Sequence, residues 1–349
     1  MSTAPDLAAD DARNHKKTKQ TMASVDDSCI PLRQSSLQTL PLELLESIFL
    51  YSKTLALPRS SPLLGAKLSG KTTLLRLFIV GFHDTWDQLF GITLNDYFDT
   101  YKSWSSTCRL EGDFSLQSDL LSMPWVDIDF ILEAQQTWAD KYAGSRCYRH
   151  YTTFKGPAIK AMYEKKVHVR DRYIEHIRQH EEKTWKFDAR ACFEADYERA
   201  LQIPPTPQFF LDCCLRSSPD VHPDVYPPVH LLTGPWDEEK KRRLFWLIRA
   251  GADLRSGFRK SGWEVRLACL DATVIFAKEP DPLIINCLIG NWIFHGNPKD
   301  AQHKRLVDVC RRIDRGGDTQ DMREILREVV RSMDHHDQFI DHYFSDDEW

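Results

Sequence analysis

No stretch of this sequence approaches the eighteen or so apolar residues that a membrane-spanning helix needs. The longest apolar runs, such as Leu74–Phe82, are short and interrupted by Arg76, so membrane insertion is not expected. Met1–Gln20 is polar and has no apolar core, which predicts no signal peptide. A C-x-x-C pair is also missing. The nine cysteines, Cys29, Cys108, Cys147, Cys192, Cys213, Cys214, Cys269, Cys287 and Cys310, fall at irregular spacings. An odd, unpatterned set predicts reduced thiols in the cytoplasm or nucleus rather than a disulfide framework. A basic excess is absent as well, since 46 Lys and Arg stand against 51 Asp and Glu, for a net charge of −5. Phosphate-driven binding ordinarily shows a basic patch, so no nucleic-acid partner is expected. G-x-S-x-G, H-E-x-x-H and any local nucleophile–base pair are missing too. The expectation is a non-catalytic protein with no catalytic residue, metal or cofactor.

What the chain does have is helical periodicity. The 42% apolar content of its 349 residues can fill an ordinary interior. Residues 1–38 are polar with few large apolar side chains and read as a disordered arm, whose basic stretch His15–Lys19 is taken as solvated. From Leu40, Leu44, Leu45, Ile48 and Phe49 recur at helical spacing, with Pro41 suited to a helix's first turn. Leu55–Leu68 gives a second short apolar segment, punctuated by Pro58 and Pro62, and Thr72–Phe82 a third. Residues 39–91 therefore read as three short helices. Residues 92–200 read as a helical middle region without strand-like alternation. It holds a helix in Trp125–Tyr142, through Ile128, Leu132, Gln135 and Ala139, and a long charged helix over Lys160–Lys183. The prolines from Pro204 to Pro228 mark residues 201–228 as a linker around a short helix at Gln208–Arg216. Residues 229–333 read as a further helical region, and 334–349 as an acidic tail. The fold class expected is mainly α.

Leu40-Pro41-Leu42-Glu43-Leu44-Leu45-Glu46-Ser47-Ile48-Phe49 resembles the opening of the F-box family, which begins Leu-Pro-x-Glu and continues with aliphatics and an Ile-Phe pair. The resemblance runs on through Tyr51, Leu57, Ser61, Leu63 and Leu64, with Ser60 and Lys67 as departures. It implies a three-helix unit that binds a Skp-type linker subunit and, through it, a cullin ubiquitin-ligase scaffold. The linker-binding residues it implies are Leu40, Pro41, Glu43, Leu44, Leu45, Ile48, Phe49, Leu57, Leu63 and Leu64. The physical reading agrees, because so small a unit cannot bury all these apolar side chains and the surplus suits a helix-in-groove interface. The wider chain is similar to a fungal group of F-box-like proteins, through Leu57–Pro62, Gly65–Ser69, Pro124-Trp125 and Gly234-Pro235-Trp236. A protein of this kind would recruit a protein target, which the sequence does not name.

Three further patterns are weighed. Gly65-Ala66-Lys67-Leu68-Ser69-Gly70-Lys71-Thr72 matches G-x-x-x-x-G-K-[ST], the phosphate loop of nucleotide-binding proteins, with Gly65, Gly70, Lys71 and Thr72 as its functional positions. Against it, the preceding Pro58–Leu64 is a poor strand, and Asp212, the best second metal ligand, follows no clear strand. Pro228–Leu232 followed by Leu244–Asp253 is similar to one ankyrin repeat, with Gly251 placed to end its second helix in a left-handed cap and Lys260–Ala277 as a degenerate successor. That leaves an ankyrin-like scaffold as an alternative. His176 with His180, and the tract Asp334–Asp337 with Asp341-His342, are read as solvated surface rather than metal ligands.

Overall fold

In the computed structural model the described residues are 36–91, 111–151 without 145 and 147, 181–203 without 185 and 186, 220–252, 254, 262–289, 293, and 297–330 without 321 and 328. The chain divides into two compact units, Met1–Pro41 and Leu42–Trp349. In the first, Leu37–Thr39 forms a 3-10 turn, its N-terminus capped by the Ser36 hydroxyl, which accepts from the Gln38 N–H at 3.3 Å. Regular structure thus begins inside the span read as a disordered arm; residues 1–35 of that arm lie outside the described residues.

The second unit is mainly helical. Its N-terminal part is α1 (Leu42–Ser52), a 3-10 turn at Pro58–Ser60, α2 (Pro62–Leu68) and α3 (Lys71–Leu89). These are the three helices expected, with α3 extending well past Phe82. Then come α4 (Phe114–Leu121), α5 (Ile128–Tyr142), α6 (Ala189–Ala200), the one-turn α7 (Val229–Leu232) and α8 (Glu238–Arg249). They are followed by α9 (Trp263–Leu270), which runs into a π-helical turn over Asp271–Ile275, then α10 (Pro282–Leu288) and α11 (Lys299–Arg315). Aspartates start many of these helices. Asp113, Asp127, Asp188, Asp237 and Asp281 each accept from an N–H two or three residues on, satisfying a donor the helix leaves free and contributing about 1 kcal/mol apiece.

Two expectations, one about the middle region and one about the span after it, are corrected. Tyr148–Tyr151 and Glu181–Thr184 pair as two antiparallel strands, Tyr148 opposite Thr184 and Tyr151 opposite Glu181. Residues 181–183, read as the end of a long charged helix, are therefore strand, and the rest of that helix lies outside the described residues. The proline-marked span is the second correction. Val221 and Val225 are fully buried, the Trp86 indole N–H donates to the Asp220 carbonyl at 2.8 Å, and the Tyr226 N–H donates to Ser118 Oγ at 2.8 Å. Residues 220–228 are therefore packed on α3 and α4 rather than serving as a linker; 204–219 lie outside the described residues.

A single core runs through the second unit, so residues 42–91 do not stand apart as a domain. The axis of its N-terminal part is α3, whose Phe78 and Phe82 stack at 4.4 Å and whose Trp86 meets Trp138 of α5 at 5.8 Å. Helix α4 lies close over Gly81, where a methyl group would come within 2.6 Å of the Leu120 side chain. Gln117, fully buried on α4, joins three segments. Its amide donates to the Gly81 carbonyl at 3.2 Å and to Thr85 Oγ1 at 2.8 Å, and its oxygen accepts from the His222 N–H at 3.0 Å.

The ankyrin-like pair is realised only at its end. Helix α8 closes in a Schellman motif, with Ala252 N–H donating to the Leu247 carbonyl, Gly251 N–H to that of Ile248, and Gly251 at φ 92° as expected. Helix α7 has four residues only. Trp236 folds back over Gly234 and donates to the Leu231 carbonyl at 2.7 Å, which ends the helix and denies a pair of comparable length.

Candidate partner-docking surface

Helix α1 carries apolar side chains on two faces. Leu45 and Phe49 point into the core. Leu44, Ile48 and Tyr51 stand at i, i+4 and i+7, one stripe on a helix, and are 54%, 39% and 92% exposed. Leu42 is exposed too. The other flank is tied down: the Glu46 carboxylate accepts a short hydrogen bond from Thr73 Oγ1 of α3 and lies 3.5 Å from Arg76. With one face buried and one flank held by α3, the exposed stripe is presented at a fixed orientation. Helix α2 repeats the division, with Leu64 and Leu68 buried and Leu63 exposed. The Ser61 hydroxyl caps α2 by accepting from the Leu64 N–H at 3.3 Å.

This sorts the residues that the sequence grouped together. Leu45, Phe49 and Leu64 form the interior, so their place in the linker-binding set is corrected: they hold the helices rather than meet a partner. Leu44, Ile48, Leu63, Pro41 and Glu43 are exposed, while Leu40 and Leu57 are half-buried. The surplus of apolar side chains is real but smaller than the spacing suggests, because the packing of α1 on α2 and α3 buries Leu45, Phe49 and Leu64. Tyr51 was absent from that set, although its i+7 spacing from Leu44 places it in the stripe.

Gly65–Thr72 does not form a phosphate loop. Gly65 lies inside α2, its N–H donating to the Ser61 carbonyl and its carbonyl accepting from Ser69 N–H, each at 2.9 Å. Its backbone groups are spent on the helix, and among the described residues a 3-10 turn rather than a strand precedes them. The glycine has another reason: a methyl group there would sit 2.9 Å from the Pro58 carbonyl oxygen. Gly70 is the N-cap of α3, Thr72 is exposed, and Lys71 pairs with Glu133 at 2.6 Å.

Among the described residues a largely buried polar cluster lies at the C-terminus of α8. Arg249, its side chain 3% exposed, contacts Asp196 of α6 through Nε at 2.6 Å and Asp220 at 3.4 Å. Arg199 adds a second cation on Asp196 at 3.1 Å, and Gln135 hydrogen-bonds Asp220. Burial pushes the Asp220 carboxyl up, against the opposing pull of Arg249 and Gln135. With Arg249 and Asp196 enclosed and Asp220 and Arg199 at its edge, this cluster reads as a clamp joining α5, α6, α8 and the 220–228 segment. The thiols are equally enclosed: burial raises Cys192 and Cys287 and pushes Cys269 up to about 12. Among the described cysteines only Cys310 is exposed.

Among the described residues no three His, Cys, Asp or Glu side chains gather as a metal site, and no helix is long and apolar enough to cross a membrane. His176, His180, Asp212 and the 334–342 tract lie outside the described residues. No family model matches the chain, and neither the curated proteins nor the solved structures include a significant match.

Proposed function

We propose that this chain is a non-catalytic adaptor that docks onto a Skp-type linker subunit, and through it a cullin scaffold, by the exposed flank of α1 with Leu63 of α2. The observation that carries the reading is the stripe Leu44, Ile48 and Tyr51 on a helix whose opposite face is already committed to the core. Large apolar side chains aligned in water on an immobilised helix suit a groove on a partner. The resemblance of Leu40–Leu64 to the F-box opening supplies the identity of that partner. Its action is proximity: ubiquitin transfer takes place on other subunits, and this chain raises the local concentration of a protein target. Such a complex works in the cytoplasm or nucleus.

The test is co-expression with a Skp-type linker and co-purification of wild type beside an Ile48→Asp, Tyr51→Asp double variant. Both positions are exposed, so the variant keeps its melting temperature. Its affinity falls by about 2–4 kcal/mol if the stripe is the centre of the interface. A folded wild type that does not co-purify, or a double variant that binds as well as wild type, overturns the reading. Phe49→Ala is no substitute, because it opens the core.

A further inference from the structure

A second surface, on different elements, has the form of a peptide groove. It has a volume of about 910 Å³ and lies between the end of the π-helical turn and the C-terminal end of α11. Its accessible apolar surface comes from Phe276 and the exposed Pro282, with Ile275, Met322 and Ile325, each nearly buried, closing the wall behind them. Phe276, 69% exposed, leaves an aromatic ring in water beside it.

Its walls are fixed by Arg312. That side chain donates to the Val274 and Ile275 carbonyls at 3.0 and 2.9 Å and makes a two-pronged pair with Asp318 at 2.9 and 3.1 Å. Gly316 and Gly317, at φ 70° and 88°, turn the chain between them.

The charges divide unevenly. Arg312 is spent on Asp318, and Arg311 lies 3.6 Å from Asp308. Lys278 and Arg315 have no ion-pair partner among the described residues, and Glu279 is the single lining carboxylate left beside them. The groove therefore offers an apolar floor with two uncommitted cations. A matching occupant is an acidic segment carrying aromatic side chains.

The chain contains such a segment close by. The described helical residues end at Val330, which lines an adjoining cavity of about 260 Å³ with Ile313 and Arg327. Residues 334–349 carry Asp334, Asp337, Asp341, Asp346, Asp347 and Glu348, together with Phe339, Tyr343, Phe344 and Trp349, and contain no lysine or arginine. From Val330 to Phe344 the chain can reach up to about 50 Å when extended, so length does not restrict it. We propose that this groove is the docking site of residues 334–349 of the same chain, aromatic rings on its apolar floor and carboxylates at Lys278 and Arg315.

The test uses the full chain with the photoreactive residue p-benzoylphenylalanine in place of Phe344, irradiated at low concentration, with adducts mapped by mass spectrometry. The expected result is intrachain adducts on the stretches around Phe276 and around Arg315. Reversing Lys278→Glu with Arg315→Glu should lower their yield roughly fivefold, as loss of two surface ion pairs predicts. Adding Asp346→Lys with Asp347→Lys should restore it. Arg315 lies in the last turn of α11, where a cation favours the helix, so its reversal also costs a little helix stability, and rescue by the second reversal separates charge matching from misfolding. Adducts elsewhere, adducts only between two copies, no adducts, or a yield indifferent to charge reversal would each overturn the proposal.

Discussion

Replacing Arg249 with leucine is the sharpest probe of how the second unit is held together. The guanidinium is almost fully enclosed and faces Asp196 at 2.6 Å and Asp220 at 3.4 Å. Removing it leaves two carboxylates in the interior, with Arg199 as a partial substitute for Asp196 and Gln135 for Asp220. Breaking a buried pair by deleting one partner costs about 3–5 kcal/mol, because the other charge stays desolvated. At about 2–4 °C per kcal/mol for a unit of this size, the melting temperature should fall by roughly 6–20 °C. The pH dependence gives a second check. Asp220 already has its carboxyl raised by burial, and losing Arg249 raises it further. A raised folded-state value means that the folded state binds its proton more readily than the unfolded chain. The deficit of the variant relative to wild type should thus be largest at neutral pH and shrink as pH falls toward the ordinary carboxylate range. Thermal melts of both proteins from pH 7 down to pH 4.5 measure this. A deficit under 1 kcal/mol, or one that grows on acidification, would refute the view that Arg249 neutralises desolvated carboxylates.

Other expectations are simpler. Gly65→Ala should destabilise, although alanine favours a helix interior by about 1 kcal/mol, because the new methyl group would sit 2.9 Å from the Pro58 backbone oxygen. Lys71→Ala, which breaks only an exposed pair with Glu133, should change stability by less than about 1 kcal/mol. Chemical denaturation of both variants checks the contrast, and a stabilised Gly65→Ala would remove the steric account. With an alkylating reagent at pH 8, Cys310 should react in the native protein, while Cys192, Cys269 and Cys287 stay protected until it unfolds. Mass spectrometry of the peptides decides this, and early labelling of Cys269 would show that the interior opens locally.

Local patterns were legible where short-range physics decides them. The spacing of Leu44, Leu45, Ile48 and Phe49 predicts α1, that of Ile128, Leu132, Gln135 and Ala139 predicts α5, and Gly251 predicts the end of α8. Misreadings arose where distant segments decide. Which of Leu44 and Leu45 is buried depends on α2 and α3, which a window on α1 does not contain. The prolines of 220–228 report that no helix forms there and say nothing of burial, so Val221 and Val225 were taken for linker. The Gly65–Thr72 pattern fixes residue types but not whether backbone N–H groups are free, and in α2 they are not.

The bond between the Trp86 indole and the Asp220 carbonyl spans 134 positions of sequence, and the Gln117–His222 and Arg243–Leu121 bonds span 105 and 122. During synthesis at about 5–20 residues per second, Trp86 would therefore wait roughly 7–27 s for its acceptor to leave the ribosome. Through that interval the Trp86 indole lacks its acceptor, and long-range closure of this kind folds slowly. Helices α1–α3 are therefore not a portable module, since grafted without α4 and α5 they would carry an open core face with them.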